Sequence, residues 1–255
     1  MCGIVGAFGH KNGQVLTEVV GAMSESLLHR GPDDNGIWVD TEAKIAIGHR
    51  RLAILDLSQE GHQPMISRDS RYIIAFNGEI YNHPELRVEL EKGSKNVTSR
   101  EWQGHSDTET LLACFEHWGI KETLNRLVGM FAIALWDRRE RQLYLVRDRF
   151  GEKPLYYGWV GGAFIFGSEL KAFRRCHGFT NPVDRDVLAL YIKYSYVPAP
   201  YSIYQNIFKL EPGCLLKISI DATMHPPSYL PKAPTTDNGL ILDRWWSLES
   251  LVESG

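Results

Sequence analysis

The chain begins MCGIVGAFGH, residues 1–10, and this stretch places a cysteine directly after the initiator methionine. Residues 4–8 are apolar and include two β-branched side chains, which predicts a buried first strand. Such a strand would hold Cys2 rigidly, where a free terminus would fray. The stretch lacks the cationic start and the long apolar run of a secretory signal. Cys2 is therefore the first candidate for a functional residue.

Position two has a particular chemistry. A small residue there permits removal of Met1, which would leave a thiol and an α-amine on the same residue. In model peptides the α-amine titrates at about 7.7–8.0 and the thiol at about 8.5. The amine could therefore act as a base for its own thiol, directly or through water, and produce the attacking thiolate. The alternative is an ordinary small residue at a processed terminus.

The composition is typical of a globular protein that folds without disulfide bonds or structural metal ions. The chain has 255 residues, a net charge of -3 and 44% hydrophobic residues, which fits one large domain or one domain plus part of another. The near-neutral charge argues against nucleic acid as the main partner. No stretch approaches the roughly 20 apolar residues of a membrane span.

Four cysteines are scattered along the chain without CxxC pairing: Cys2, Cys114, Cys176 and Cys214. Their spacing argues against a zinc site and against a disulfide framework. A reducing cytoplasm is the expected location.

Strand and helix patterns alternate over the first 175 or so residues and predict an α+β fold. Apolar spacing predicts a helix over 17–29, and strand runs lie at 44–47 and 71–76. A helix is predicted from Asn82 to Gly93, and Ser106 with Glu109 forms a capping-box signal for the next one. Hairpins are predicted within residues 130–148, 154–170 and 207–220, the last around Pro212-Gly213.

The amino-acid composition changes after Asn181. Residues 221–240 are rich in Pro, Thr and Asp and are typical of a linker. We therefore predict a first domain over residues 1–180, followed by a linker and part of another domain over residues 181–255.

A nucleophile also needs donors for the oxyanion that forms on an attacked carbonyl. Asn77 and Gly78 end a predicted strand, and an Asn side chain and a glycine N–H could both point at one oxygen. The alternative is a hairpin turn, since Asn-Gly is a common turn sequence.

A small amino-acid substrate would need arginine for its carboxylate and a carboxylate for its ammonium. Arg50 and Arg51 follow a predicted strand, and Asp107 starts a predicted helix. Both have simpler explanations: the arginines could be paired on the surface, and Asp107 could favour the helix dipole.

Seven segments together resemble the glutaminase domain of glutamine-dependent asparagine synthetases, a class II amidotransferase. In chain order they are MCGIVG (1–6), RGPDDNG (30–36), GHRRLAILDL (48–57), FNGEIYN (76–82), SDTETLL (106–112), RDRFGEKPLYYG (147–158) and FGSELKAF (166–173). The ordered set is specific, whereas RGPD or NGE alone would mean little.

The resemblance implies a four-layer αββα sandwich of the N-terminal-nucleophile hydrolase type. It implies that Cys2 attacks the side-chain amide of L-glutamine, with Asn77 and Gly78 as oxyanion hole. It further implies that other residues bind the substrate: Arg51 the α-carboxylate, Asp107 with Glu79 the α-amino group, and the backbone of Leu52, Ile54 and Leu55 the pocket wall. No metal site is implied.

Residues 186–218 and the WWSL at 245–248 resemble the opening of an α/β synthetase domain, the expected partner in cis. The pyrophosphate-loop motif of that domain is absent, so no cofactor is expected for this chain. ATP and Mg are implied only for the missing synthetase domain. The oligomeric state, a homodimer included, is left open.

Two alternatives remain for the function. One is a relative that transfers the nitrogen to another acceptor, such as a sugar acid or a peptide. The other is a non-catalytic scaffold, against which the presence of Cys2, Asn77-Gly78, Arg51 and Asp107 argues.

Overall fold

The computed structural model describes residues 1–9, 13–54, 56–93 and 101–254. Its strands are β1 (Gly3–Phe8), β2 (Asp34–Asp40), β3 (Ile45–Arg51), β4 (Met65–Ile66), β5 (Tyr72–Ile80), β6 (Gly129–Asp137), β7 (Gln142–Arg147), β8 (Tyr156–Val160), β9 (Ala163–Gly167), β10 (Ile207–Lys209), β11 (Cys214–Ile218), β12 (Thr235–Asp237) and β13 (Leu240–Arg244). Its α-helices are α1 (Gly13–Glu25), α2 (His83–Gly93), α3 (Asp107–Trp118), α4 (Ile120–Arg126), α5 (Leu170–Phe173), α6 (Arg185–Tyr194), α7 (Ile220–Met224) and α8 (Leu248–Ser254).

The strands form two sheets whose neighbouring strands pair antiparallel. The first sheet has the order β10-β8-β9-β1-β3-β2, and the second has the order β12-β13-β11-β7-β6-β5-β4. β1 is thus an inner strand of the first sheet, as its uniformly buried residues require.

Three apolar cores separate four layers. The core between the two sheets contains Phe8 and Trp136, whose rings meet edge to face at 5.3 Å. A second core joins the outer face of the first sheet to α1 and α5. A third joins the outer face of the second sheet to α2, α3 and α4. The predicted αββα sandwich is therefore confirmed.

Most local predictions hold. Ser106 caps α3 by accepting the Glu109 backbone N–H, and Gly119 ends that helix. The first helix ends at Glu25, where a helical turn was predicted to continue to residue 29. The stretch between the helix predicted to end at Gly93 and the one capped by Ser106 lies partly outside the described residues.

The predicted hairpin around Pro212-Gly213 is wrong. β10 pairs with β8 in the first sheet, and β11 pairs with β7 in the second. β10 is an edge strand of the first sheet, β11 lies between β7 and β13 in the second, and apolar side chains of both strands are buried in the core between the sheets. The turn therefore connects the two layers.

The strand pairing does not break at residue 180, where the sequence predicted a domain boundary. Strands β10 to β13 extend both sheets as far as residue 244. The assignment of residues 181–255 to a second domain stays a prediction.

A buried histidine joins the two sheets at the end where the candidate site lies. His49 on β3 donates its Nε2–H to the Phe76 carbonyl oxygen on β5, at 3.0 Å. Its burial lowers the pKa to about 4, so the imidazole is neutral and its donating tautomer is set by that carbonyl. The ends of β1, β3 and β5 are thereby held close together.

Candidate active site

A cleft of about 670 Å³, open to solvent, lies at this end of the sandwich. Eight of the nine predicted site residues line it: Cys2, Arg51, Leu52, Ile54, Asn77, Gly78, Glu79 and Asp107. Leu55 lies outside the described residues. The roles of these side chains stay predictions, but their positions relative to one another are now defined.

The Cys2 thiol sits against the backbone of Leu52. Its Sγ lies 3.4 Å from the Leu52 nitrogen and 3.7 Å from the Leu52 oxygen. Burial raises the pKa of the thiol, while the Leu52 N–H, the terminal amine and the charges of Arg51 and Arg30 act in the opposite direction. Since burial prevails, the thiol needs a base to ionise near neutral pH.

That base is not a histidine of the described cleft wall. No histidine of the described residues lines the cleft, and His49 is committed to the Phe76 carbonyl. Among the described residues, the cleft therefore contains no Cys–His pair.

Arg30 holds the chain terminus in place. Its Nε donates to the Cys2 carbonyl oxygen at 2.9 Å, and one of its terminal nitrogens donates to Glu169 at 2.8 Å. Partial burial opposes the ionisation of Glu169, yet hydrogen bonds from Arg30, His29 and Lys171 lower its pKa to about 2. Arg30 and Glu169 lie in quoted motif segments, but nothing in the sequence indicated that they meet.

Asn77 presents a polar group that the protein itself does not satisfy. The residue is 1% exposed, and its Nδ2 has no hydrogen-bond partner among the described residues. An unpaired buried donor is costly in a folded protein, which suits a group that waits for a substrate oxygen. Asn77 and Gly78 lie inside β5, so the hairpin-turn alternative is wrong.

Glycine at position 78 has a packing reason as well. A Cβ there would overlap the Met130 carbonyl oxygen and lie 2.8 Å from the Phe131 Cα on β6. The close approach of β6 therefore requires glycine at this position.

The two neighbouring arginines point to opposite sides of the strand. Arg50 pairs with Glu25 and donates to the Ser24 carbonyl oxygen, away from the cleft. Arg51 lines the cleft and donates to the carbonyl oxygens of Ser58, at 2.8 Å, and Asp56. Side chains alternate along a strand, so only one of the two can serve the site.

Two carboxylates face the cleft from β5 and α3. Asp107 is 5% exposed, and its Oδ2 accepts the Ile80 backbone N–H at 2.9 Å. Burial, with a smaller contribution from the charge of Glu79, raises the pKa of Asp107 to about 6. A carboxylate with a raised pKa destabilises the fold when it ionises, which does not fit a purely helix-stabilising role.

Gln63 fixes the spacing between these elements, although no sequence pattern indicated this role. Its Oε1 accepts the Phe76 backbone N–H at 2.7 Å, and its Nε2 donates to Thr108 Oγ1 at 3.2 Å. Gln63 thereby ties the Asn77 end of β5 to the first turn of α3.

The described residues contain no group of three or more His, Cys, Asp or Glu side chains suited to hold a metal ion. Likewise, none of the described helices is long and apolar enough to cross a membrane.

Comparison with known proteins identifies the family. A model of the glutamine amidotransferase domain matches residues 1–229. The chain belongs to the glutamine amidotransferase domain family.

Two curated relatives confirm the resemblance to asparagine synthetases. A putative glutamine-hydrolysing asparagine synthetase 2 from Methanocaldococcus jannaschii is 39% identical, covering 83% of this chain and 42% of that protein. Glutamine-hydrolysing asparagine synthetase 1 from Bacillus subtilis is 38% identical, covering 90% of this chain and 35% of that protein. The chain therefore spans less than half the length of either relative.

A solved structure confirms the fold of this amidotransferase domain. It is a glutamine phosphoribosylpyrophosphate amidotransferase from B. subtilis complexed with ADP and GMP, with a TM-score of 0.60 at 23% identity. The superposition covers 96% of this chain and 49% of that chain. At this identity the likeness shows the fold alone.

Replacing Asp107 by Asn is expected to stabilise the domain. A raised folded-state pKa means that ionisation opposes folding, so the destabilisation grows as the pH rises from about 4 to 6 and is complete above that. Two pKa units correspond to roughly 3 kcal/mol, an upper bound for the gain in unfolding free energy at about pH 8. Thermal unfolding of Asp107→Asn and of the wild type measures it.

Asp56→Asn is the matched control for that measurement. Asp56 also lines the cleft, but hydrogen bonds from Ser58 and the His105 N–H lower its pKa, so its loss should destabilise the domain at the same pH. A lower melting temperature for Asp107→Asn would favour the helix-dipole alternative.

Proposed function

We propose that this domain hydrolyses L-glutamine to glutamate and ammonia, with Cys2 as an N-terminal nucleophile after removal of Met1. One observation carries the proposal: the Asn77 amide nitrogen, which has no partner among the described residues, belongs to a side chain that lines the same cleft as Cys2. A nucleophile and a waiting oxyanion donor in one cleft are what acyl transfer requires.

The charged groups of the cleft suit the two ends of a free amino acid. Arg51 would bind the α-carboxylate, because its guanidinium is already oriented by two carbonyl oxygens. Asp107 and Glu79 would bind the ammonium, and the backbone of Leu52 to Leu55 would form the wall. Protonation of Asp107 below about pH 6 would weaken glutamine binding, and Asp107→Asn should raise KM despite its gain in stability.

The chemistry follows from the two groups on Cys2. As Sγ attacks the amide carbon, the thiol proton passes to the α-amine, and the new oxyanion receives hydrogen bonds from Asn77 Nδ2 and the Gly78 N–H. The C–N bond then breaks, and the amine returns its proton to the departing ammonia. Water attacks the remaining thioester, and glutamate leaves while the thiol is restored.

Cys2→Ala is expected to abolish the release of ammonia from glutamine, because the thiolate is the attacking group. Cys176→Ala, which removes a buried thiol outside the cleft, should retain the activity. Ammonia and glutamate are measured together on protein whose intact mass shows that Met1 is gone. Normal turnover by Cys2→Ala, or by protein that keeps Met1, would overturn the proposal.

Asn77→Ala tests the oxyanion hole. The loss of one such donor is expected to lower kcat by on the order of 10²–10³ with a smaller change in KM. The protein should remain folded, because the deleted Nδ2 has no partner among the described residues. An unchanged kcat would remove Asn77 from this role.

We further propose that the ammonia serves an asparagine synthetase-type domain in the same polypeptide, which would use ATP and Mg. The names of the curated relatives and their greater length support this. With amide-¹⁵N glutamine, aspartate and MgATP, the complete native polypeptide should produce ¹⁵N-labelled asparagine. Label in free ammonia alone under these conditions would indicate a different acceptor.

A further inference from the structure

The segment RDRFGEKPLYYG, residues 147–158, folds into a rigid platform beside the cleft. The Asp148 carboxylate accepts backbone N–H groups of Phe131, Phe150, Glu152 and Lys153 at 3.0–3.1 Å. Arg147 donates to the Lys153 carbonyl oxygen at 2.8 Å. The backbone of Lys153 is thus fixed on both sides.

This platform directs the Lys153 side chain into the cleft. Lys153 is 7% exposed and lines the cleft with Cys2, and its Nζ lies 3.6 Å from the Met1 Sδ. In the described part of the chain, no carboxylate lies within ion-pair distance of this ammonium. A buried cation without a counter-ion is costly, and the proposed glutamine-binding roles do not use it.

Two other cations, Arg30 and Arg51, also act on Cys2 through their charge, and both are fixed by hydrogen bonds. Arg30 donates to the Cys2 carbonyl oxygen and Glu169, and Arg51 donates to the loop carbonyls. Asp56 accepts from Ser58 and His105. The proposed ammonium ligands, Glu79 and Asp107, also line the cleft. Among the described residues, Lys153 is a cation in contact with Met1, the residue bonded to Cys2.

We propose that Lys153 keeps the freed α-amine of Cys2 uncharged near neutral pH, so that the amine can accept the thiol proton. This inference rests on the proposed function. Free α-amines titrate at about 7.7–8.0 and are mostly protonated at pH 7. A like charge less than about 10 Å away in a partly buried cleft lowers such a pKa by on the order of one unit. Lys153 touches no reacting atom and acts as a positioning residue through the amine.

The pH profile of kcat at saturating glutamine tests the proposal. In Lys153→Met, which keeps the length and loses the charge, the acidic limb should move up by about one pH unit. The rate at pH 7 should then fall by up to about tenfold, with recovery near pH 9. Lys153→Arg should keep the wild-type limb. Lys209→Met, which removes a half-buried cation over the Tyr156 ring, should leave the profile unchanged.

A second measurement needs no activity. In processed Cys2→Ala protein, the α-amine carries an isotopic label from reductive ¹³C-methylation, and its titration is followed by NMR with and without Lys153→Met. The substitution should raise the midpoint by about one pH unit. Since this background lacks the nucleophile, a failure of the glutaminase assignment does not affect the result.

Three outcomes would overturn the role of Lys153. One is a Lys153→Met profile that superimposes on that of the wild type while the α-amine midpoint stays unchanged. Another is a uniform loss of kcat at every pH that Lys153→Arg shares, which indicates a packing role. A changed KM with an unmoved limb would likewise assign Lys153 to substrate binding.

Discussion

The register of one antiparallel strand pair determines the geometry of the whole site. Gly3 lies opposite Arg50 in the β1–β3 pair. Cys2, which precedes Gly3, therefore lies beside the residues that follow Arg50. This brings the Cys2 thiol against the Leu52 backbone, beside the strand end that carries Arg51. A slip of one residue would turn Arg51 away from the cleft and Arg50 into it.

Much of the fold could be predicted from local patterns, because strands, helix caps and tight turns depend on near neighbours. β1 ends at Phe8, where its apolar run ends, and Ser106 caps α3 as its spacing with Glu109 predicted. β5 instead continues to Ile80, beyond the predicted end at residue 76. The turn at Pro212-Gly213 also forms, but its two strands join different sheets. Which sheet edge accepts a strand depends on packing, which no local pattern encodes.

The candidate site, like the fold, could be predicted only in part from the sequence. The ordered motifs predicted its members, Arg51 and Asn77-Gly78 included, whereas residue chemistry alone left open which of two arginines faces the cleft and whether Asn77-Gly78 forms a turn. Arg30 and Glu169, 139 residues apart, meet only in the folded chain, and Gln63 bridges β5 and α3 in the same way. Two site groups also oppose stability: Asp107 is a buried carboxylate, and Asn77 is a buried donor without a partner among the described residues. Such local conflicts are expected where a site is prepared for a ligand.

The position of β1 inside the first sheet has a consequence for the biosynthesis of the protein. Its partner β9 is completed only at Gly167, and ribosomes add about 5–20 residues per second. The first strand therefore waits on the order of ten seconds for one of its two neighbours. The proposed removal of Met1 can take place in that interval, while residues 3–8 still lack this neighbour. The order in which the strands are synthesised thus leaves time for this proposed maturation of the nascent chain.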